Sequence, residues 1–270
     1  MARHRPPSLT PFLGASRVWA LAGALFGGLL SLAWHVPAAW LGNALSQATQ
    51  GRVLLQEAQG SVWNGSAWVV LTAGPGASSA QALPSRLRWE VRPQWSGDWR
   101  VQLHADCCLA QAWTWHFTPS LSGLALRLSD TPLRLPAHLL SGLGTPWNTV
   151  QPQGQLTLQS RQLQLTWSSA QQLQFTGELS LQLDNLSSQL TTLRPMGSYR
   201  VSLQGQPQPT VRLTTLEGRL QLHGQGTWVA HRLQFQGEAH AATPADEPVL
   251  THLLSVLGPR QGHKALLKLG

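Results

Sequence analysis

Residues 155–183 decide the fold. They contain Leu156-Thr-Leu158, Leu163-Gln-Leu-Thr-Trp167, Leu173-Gln-Phe175 and Leu179-Ser-Leu-Gln-Leu183. Apolar side chains alternate with Gln, Thr and Ser. A period of two sends alternate side chains to opposite faces, which is the pattern of half-buried β-strands. Outward from this stretch the period continues at Tyr199-Arg-Val-Ser-Leu203, Leu220-Gln-Leu222 and Leu233-Gln-Phe235. Glycines follow in phase at Gly177, Gly205, Gly224 and Gly237, where turns or bulges are expected. The spacing predicts a strand roughly every 10–13 residues in an antiparallel meander. Residues 73–84 and 206–209 read as loops. Residues 243–247 read as a linker whose acidic pair suits the start of a helix.

Composition agrees with a mainly β chain. Charged residues make up 11%, well under the usual share of about 25%. Gln, Ser and Thr fill the solvent-facing positions instead, as one polar face of a sheet allows. The net charge of +8 raises the question of nucleic acid. The Lys and Arg residues are scattered singly after the first few positions, and nucleic-acid binding calls for a clustered basic face. The reading is therefore a mildly basic surface near anionic lipid or acidic partners, with no nucleic acid and no small-molecule substrate.

Residues 18–36 read VWALAGALFGGLLSLAWHV, with no Asp, Glu, Lys or Arg. The length is close to the roughly 20 residues that cross a bilayer core. Trp19 and Trp34 stand near its ends, where indole favours the interface, and Arg3, Arg5 and Arg17 precede it. The positive-inside rule then makes residues 1–17 a cytoplasmic tail, 18–36 a single transmembrane helix in the inner membrane, and 37–270 a periplasmic β-rich domain. A cleaved signal peptide is the competing reading. The apolar run is long for one, and Pro37-Ala38-Ala39 is a poor cleavage site.

An internal repeat divides the domain. His138-Leu-Leu-Ser-Gly-Leu-Gly144 recurs as His252-Leu-Leu-Ser-Val-Leu-Gly258, with Pro136 and Pro248 ahead of each copy. Leu139, Leu140 and Leu143 share a helix face, as do Leu253, Leu254 and Leu257. A looser third copy starts at Pro37. Repeat units of about 37–135 and 136–247 follow, each a short amphipathic helix leading into strands, with 248–270 as a closing helix and strand.

No motif carries chemistry. Nucleophile elbow, P-loop, zinc-protease and EF-hand words are missing. Asp98 with Asp106, and Glu178 with Asp184, read as hairpin or turn residues. His104, Asp106, Cys107, Cys108 and His116 are the best metal set by residue type, but their spacing matches no zinc module. Cys107 and Cys108 are adjacent, so either they form a vicinal bridge or they place thiols on opposite strand faces. Thirteen tryptophans suit a sheet core and a sandwich seam. Catalytic, cofactor and metal residues are each read as none.

Several words in the chain occur in a familiar order. Pro37-Ala-Ala-Trp-Leu is followed by Gly51-Arg-Val-Leu-Leu, then Gly60-Ser-Val-Trp63-Asn-Gly65, then Leu83-Pro-Ser-Arg-Leu-Arg-Trp89-Glu-Val-Arg-Pro93. Leu135-Pro136-Ala-His-Leu-Leu, Trp147-Asn-Thr-Val-Gln-Pro-Gln-Gly154 and Gly197-Ser-Tyr199-Arg-Val complete the series. In these words and their order the chain resembles the type II secretion system protein N family. The resemblance implies a bitopic inner-membrane protein with a periplasmic β-rich domain. It implies an accessory, non-enzymatic part of the machinery that exports folded proteins across the outer membrane. Implied partners are other secretion components, either the secretin or inner-membrane platform proteins. Gly60, Trp63, Gly65, Trp89, Pro93, Pro136 and Gly154 carry over as fold residues only. Gly60 and Gly65 bracket Trp63 as a hairpin with a buried indole requires. Low charge, Gln richness and the adjacent cysteines depart from the pattern. A periplasmic β-groove that binds or transports lipid is the alternative function.

Overall fold

The computed structural model describes residues 13–77, 79–121, 123–168, 173–205, 208–229 and 232–270. Arg3, Arg5 and part of the 206–209 loop lie outside them. Helix α1 (Leu13–Trp34) leads to α2 (Ala38–Ala48). Strands β1 (Val53–Gly60), β2 (Asn64–Thr72), β3 (Ala80–Ala82), β4 (Leu87–Pro93) and β5 (Trp99–Ala105) follow. Next come β6 (Trp113–Ser120), β7 (Gly123–Leu128) and β8 (Leu133–Pro136), a 3-10 helix (Ala137–Leu143) and α3 (Trp147–Val150). The second half holds β9 (Gln153–Ser168), β10 (Leu173–Ser187), β11 (Gly197–Gln204), β12 (Thr210–Gly218), β13 (Leu220–Val229) and β14 (Arg232–Ala241). A 3-10 turn (Pro244–Asp246), α4 (Glu247–Leu257), β15 (Arg260–Gln261) and β16 (Lys264–Leu269) close the chain.

All the strands belong to one antiparallel sheet. Its order is β1-β2-β4-β5-β6-β7-β9-β10-β11-β12-β13-β14-β16-β15, with β3 on β2 and β8 on β9. Near-sequential order is what short turns between strands produce. The chain is thus mainly β and antiparallel, as its period of two predicts.

Four expectations need correction. The four short strands read between 155 and 183 are two long ones, β9 and β10. The loop read at 73–84 contains β3, and the linker read at 243–247 contains a 3-10 turn and the start of α4. The helix read after Pro136 is a 3-10 helix, capped by Pro136. Among the described residues no helix is long and apolar enough to cross a membrane. The spanning role of 18–36 therefore rests on the sequence.

Bulges explain the long strands. In β9 the apolar phase slips between Leu158 and Leu163, and the β9–β10 register shifts between Thr176 and Glu178. Gln162 is the extra residue, with φ of 49°. Asn185 in β10 (φ 51°) and Glu57 in β1 (φ 49°) act alike. Each bulge returns the next apolar residue to the same face.

Paired residues share a face, so the register traces one apolar surface through the sheet. Trp89 pairs with Leu103, which pairs with Trp113. Phe117 pairs with Leu126, which pairs with Leu165, which pairs with Phe175. Leu156, Leu183 and Tyr199 continue it. Helices cover parts of this face, α4 at one end of the strands and α2 alongside β1. Leu250, Leu253 and Leu254 of α4 pack there with Ala137, Val150, Leu156, Tyr199 and Leu220 in the larger core. Ala38 of α2 meets Ala67 and Trp89 in a smaller one.

Candidate interaction surface

The ends of the strands form two rims. One carries α3, α4 and the start of β1. The other carries the β1–β2, β4–β5 and β6–β7 turns, and the last turn of α1 arrives beside it. There Trp34 stacks on Trp63, with centroids 6.1 Å apart and 26° between planes. Trp63 stacks on Trp99 at 5.4 Å and 23°. The Val62 N–H donates to the Val36 carbonyl at 2.9 Å, and Pro37 bridges to Ser61. A cleft of about 270 Å³ lies between Trp34, Trp63 and Val91 to Pro93.

Gly60 and Gly65 do pair across the β1–β2 hairpin. The buried indole they serve is not Trp63, which is half-buried, but Trp89 on β4, at 3% exposure. Gly65 lies opposite Trp89 in the register, and a Cβ there would sit 2.5 Å from Trp89 Cζ2. The Trp89 Nε1–H donates to the carbonyls of Ser61 and Val62, at 3.2 and 3.1 Å. A buried indole N–H needs such a partner. Trp89 therefore fastens the hairpin from beneath, while Trp63 stacks on Trp34.

The other named residues are scattered. Pro93 ends β4, exposed, opposite Trp99. Pro136 ends β8, and Gly154 opens β9 with φ of 134°, a conformation side chains resist. Cys107 and Cys108 are disulfide-bonded in the turn after β5, which removes the reading of thiols on opposite faces. Among the described residues no group of three or more His, Cys, Asp or Glu side chains gathers to hold a metal. His138 and His252 are exposed on their helices.

The expected core role fits Trp89 alone, since every other described tryptophan is half-buried or exposed. The cause is the uncovered half of the apolar face, away from the helices. Trp115 and Phe117 are half-buried there, while Trp167 and Leu173 are exposed. The Trp34–Trp63–Trp99 stack escaped sequence reasoning. Its one signal was Trp34 at the end of the apolar run.

Ion pairs fasten the C-terminal edge of the sheet. Glu247, at the start of α4, accepts from His263 at 2.7 Å and Arg260 at 2.8 Å. The His263 hydrogen bond, then that of Arg260, holds its carboxyl below the usual carboxylate range. Lys264 on β16 does the same to Glu238 on β14 at 2.8 Å. These contacts tie α4 and β16 to the sheet. The outer edge of β1 has no strand partner among the described residues, and β15 pairs with β16 only at Lys264 and Ala265.

One long antiparallel sheet with short helices packed on one face defines a mainly β class of protein. The chain belongs to the type II secretion system (T2SS) protein N family, whose sequence pattern matches residues 51–266. The match runs from just before β1 into β16, so it takes in nearly the whole sheet. It places the chain in type II secretion. Neither a curated protein nor a solved structure matches the chain.

Proposed function

We propose that this chain is an accessory, non-enzymatic scaffold of the secretion machinery, anchored in the inner membrane by α1 with its sheet in the periplasm. The observation that carries the reading is the open edge of β1. An unpaired strand offers a row of N–H and C=O groups to another chain. The short β15 leaves most of the β16 edge open too. The secretin or the inner-membrane platform proteins are the proposed partners. Anchoring is supported by the uncharged apolar run of residues 18–36, close to the roughly 20 residues that cross a bilayer core, most of which lies in α1. Trp19, Leu21, Leu25, Phe26 and Leu32 on it are 65–78% exposed, so the sheet does not bury them. The basic residues before it favour a cytoplasmic N-terminus. The proposed repeat units are supported by the order helix then strand, seen at α2 and β1, α3 and β9, and α4 and β15.

The test is in-cell crosslinking with a photoreactive residue at Gln56 of β1 or Lys268 of β16. Adducts to the secretin or to inner-membrane secretion proteins are expected. Crosslinks that never reach a secretion component overturn the scaffold. The uncovered half of the apolar face favours a second reading, a groove for lipid or another hydrophobic ligand. Phospholipid adducts at Phe117 or Leu165 would support it.

A further inference from the structure

We propose that the rim beside α1 rests in the interfacial layer of the bilayer, with the β4–β5 and β6–β7 tips as its contact points. This rests on α1 crossing the membrane. The stack of Trp34 on Trp63 sets the β1–β2 turn at the point where α1 ends. From there β2, β4, β5, β6 and β7 are successive neighbours in the sheet. Neighbouring strands stand about 4.8 Å apart, so both tips lie within roughly 25 Å of the helix end.

Each tip carries a large apolar side chain with no cover. Trp95 is 108% exposed and Leu121 109%, as bare as in an extended peptide. Tips that face water favour Gly, Asn, Asp and Ser. Trp40, on the first turn of α2 and three residues past the Pro37–Ser61 bridge, is 68% exposed. Indole and leucine side chains on a polar backbone suit the boundary between headgroups and acyl chains.

Charge does not oppose this placement. Around the β4–β5 tip Glu90 and Asp98 are balanced by Arg92 and Arg100, and Arg92 donates to Glu90 at 2.6 Å. At the opposite rim Asp106, Asp246 and Glu247 are paired with Arg88, Arg219 and Arg260. The choice of rim therefore falls to the exposed indoles and Leu121.

The test uses the full chain in nanodiscs of phosphatidylethanolamine and phosphatidylglycerol. A fluorescent amino acid replaces Leu25, Trp95, Leu121 or Leu216, one at a time, and brominated acyl chains serve as quencher. Loss of emission is expected at positions 25, 95 and 121 but not at Leu216, on the opposite rim. Quenching at 25 with full emission at 95 and 121 overturns the proposal and leaves the anchor standing. Full emission at 25 overturns the anchor and the proposal together. Emission at 95 and 121 that is protected only as protein concentration rises assigns the tips to a second copy, and also overturns it.

Discussion

Tyr199 is the single tyrosine of the chain and is 1% exposed. Its hydroxyl donates to the Leu220 carbonyl at 3.0 Å, joining β11 to β13 across β12. Burial pushes its pKa well above the usual value of about 10. In the unfolded chain the phenol loses its proton near that value, while in the folded chain it keeps it. Stability from this residue is therefore complete below about pH 10 and is lost progressively as pH rises from there toward the raised pKa of the folded chain. With one tyrosine, phenolate absorbance reads the event directly. Phenolate is expected to appear in one steep step that coincides with loss of the β signal in circular dichroism. A smooth rise near pH 10 in folded protein would show that solvent reaches the ring. Tyr199→Phe is expected to cost about 1–2 kcal/mol at neutral pH, by leaving a buried carbonyl unpaired. Legibility was uneven at this scale. Gly60 and Gly65 announced a hairpin around an indole, but naming Trp89 required the pairing of Gly65 across to β4. That pairing joins residues 24 apart in the chain, and no local pattern contains it. The vicinal cysteines were undecided for a similar reason, because a bridge depends on the turn that holds them.

The bulges set which face each strand shows. Beside Gln162, β9 changes partner on one side, from β7 at Arg127 and Gln164 to β8 at Leu133 and Leu158. The chain between those two strands closes the gap. The Asp130 carboxylate accepts the Gln162 N–H at 2.8 Å, and the Ser160 hydroxyl donates to the Ser129 carbonyl at 3.0 Å. A left-handed conformation costs an L residue about 1–2 kcal/mol, whereas glycine adopts it freely. Gln162→Gly is therefore expected to be neutral or stabilising in urea unfolding. Gln162→Val is expected to lose about 1–3 kcal/mol, because a β-branched residue resists this region most. Deleting Gln162 is the sharper test. It moves Leu163, Leu165 and Trp167 to the polar face, so the cooperative transition should vanish. A deletion variant that unfolds like the parent would refute the role of the bulge. The slip from Leu158 to Leu163 was visible in the sequence, but it read as a gap between two strands. A turn and a bulge break the period alike, and only the length of β10 opposite tells them apart. The repeated Leu-Leu-Ser words likewise marked two helical segments without showing that the first winds as a 3-10 helix.

At the scale of the molecule one sheet spans two unequal cores. The larger cluster gathers thirteen buried residues in all, among them Ala137, Val150 and three leucines of α4, with the rest from the segment between β9 and β16. The smaller has three, Ala38, Ala67 and Trp89, under α2. Backbone pairing is continuous between them, so ladder hydrogen bonds alone would make the sheet one unit. Burial differs, however, and the free energy to open a region follows its buried apolar contacts. The meander itself was legible, because short turns between alternating runs leave few other topologies. This inequality was not, because the apolar alternation looks much the same in both halves and only the helices distinguish them. Amide hydrogen exchange on the full chain under native conditions should then show two levels. Protons of β10, β11 and β13 are expected to exchange only through global unfolding. Those of β1, β2 and β4 should exchange through a lower-energy opening that releases α2 and Trp89. Trp89→Ala, which removes the centre of the smaller core at a cost of about 3–5 kcal/mol, should speed exchange in β1 to β4 and leave β10 to β13 unchanged. Equal protection in both halves, or equal loss on that substitution, would mean that pairing outweighs burial and that the sheet opens as one. If the two levels are found, the β1 edge lies in the half of the molecule that opens more readily, where a partner strand can add without unfolding the larger core.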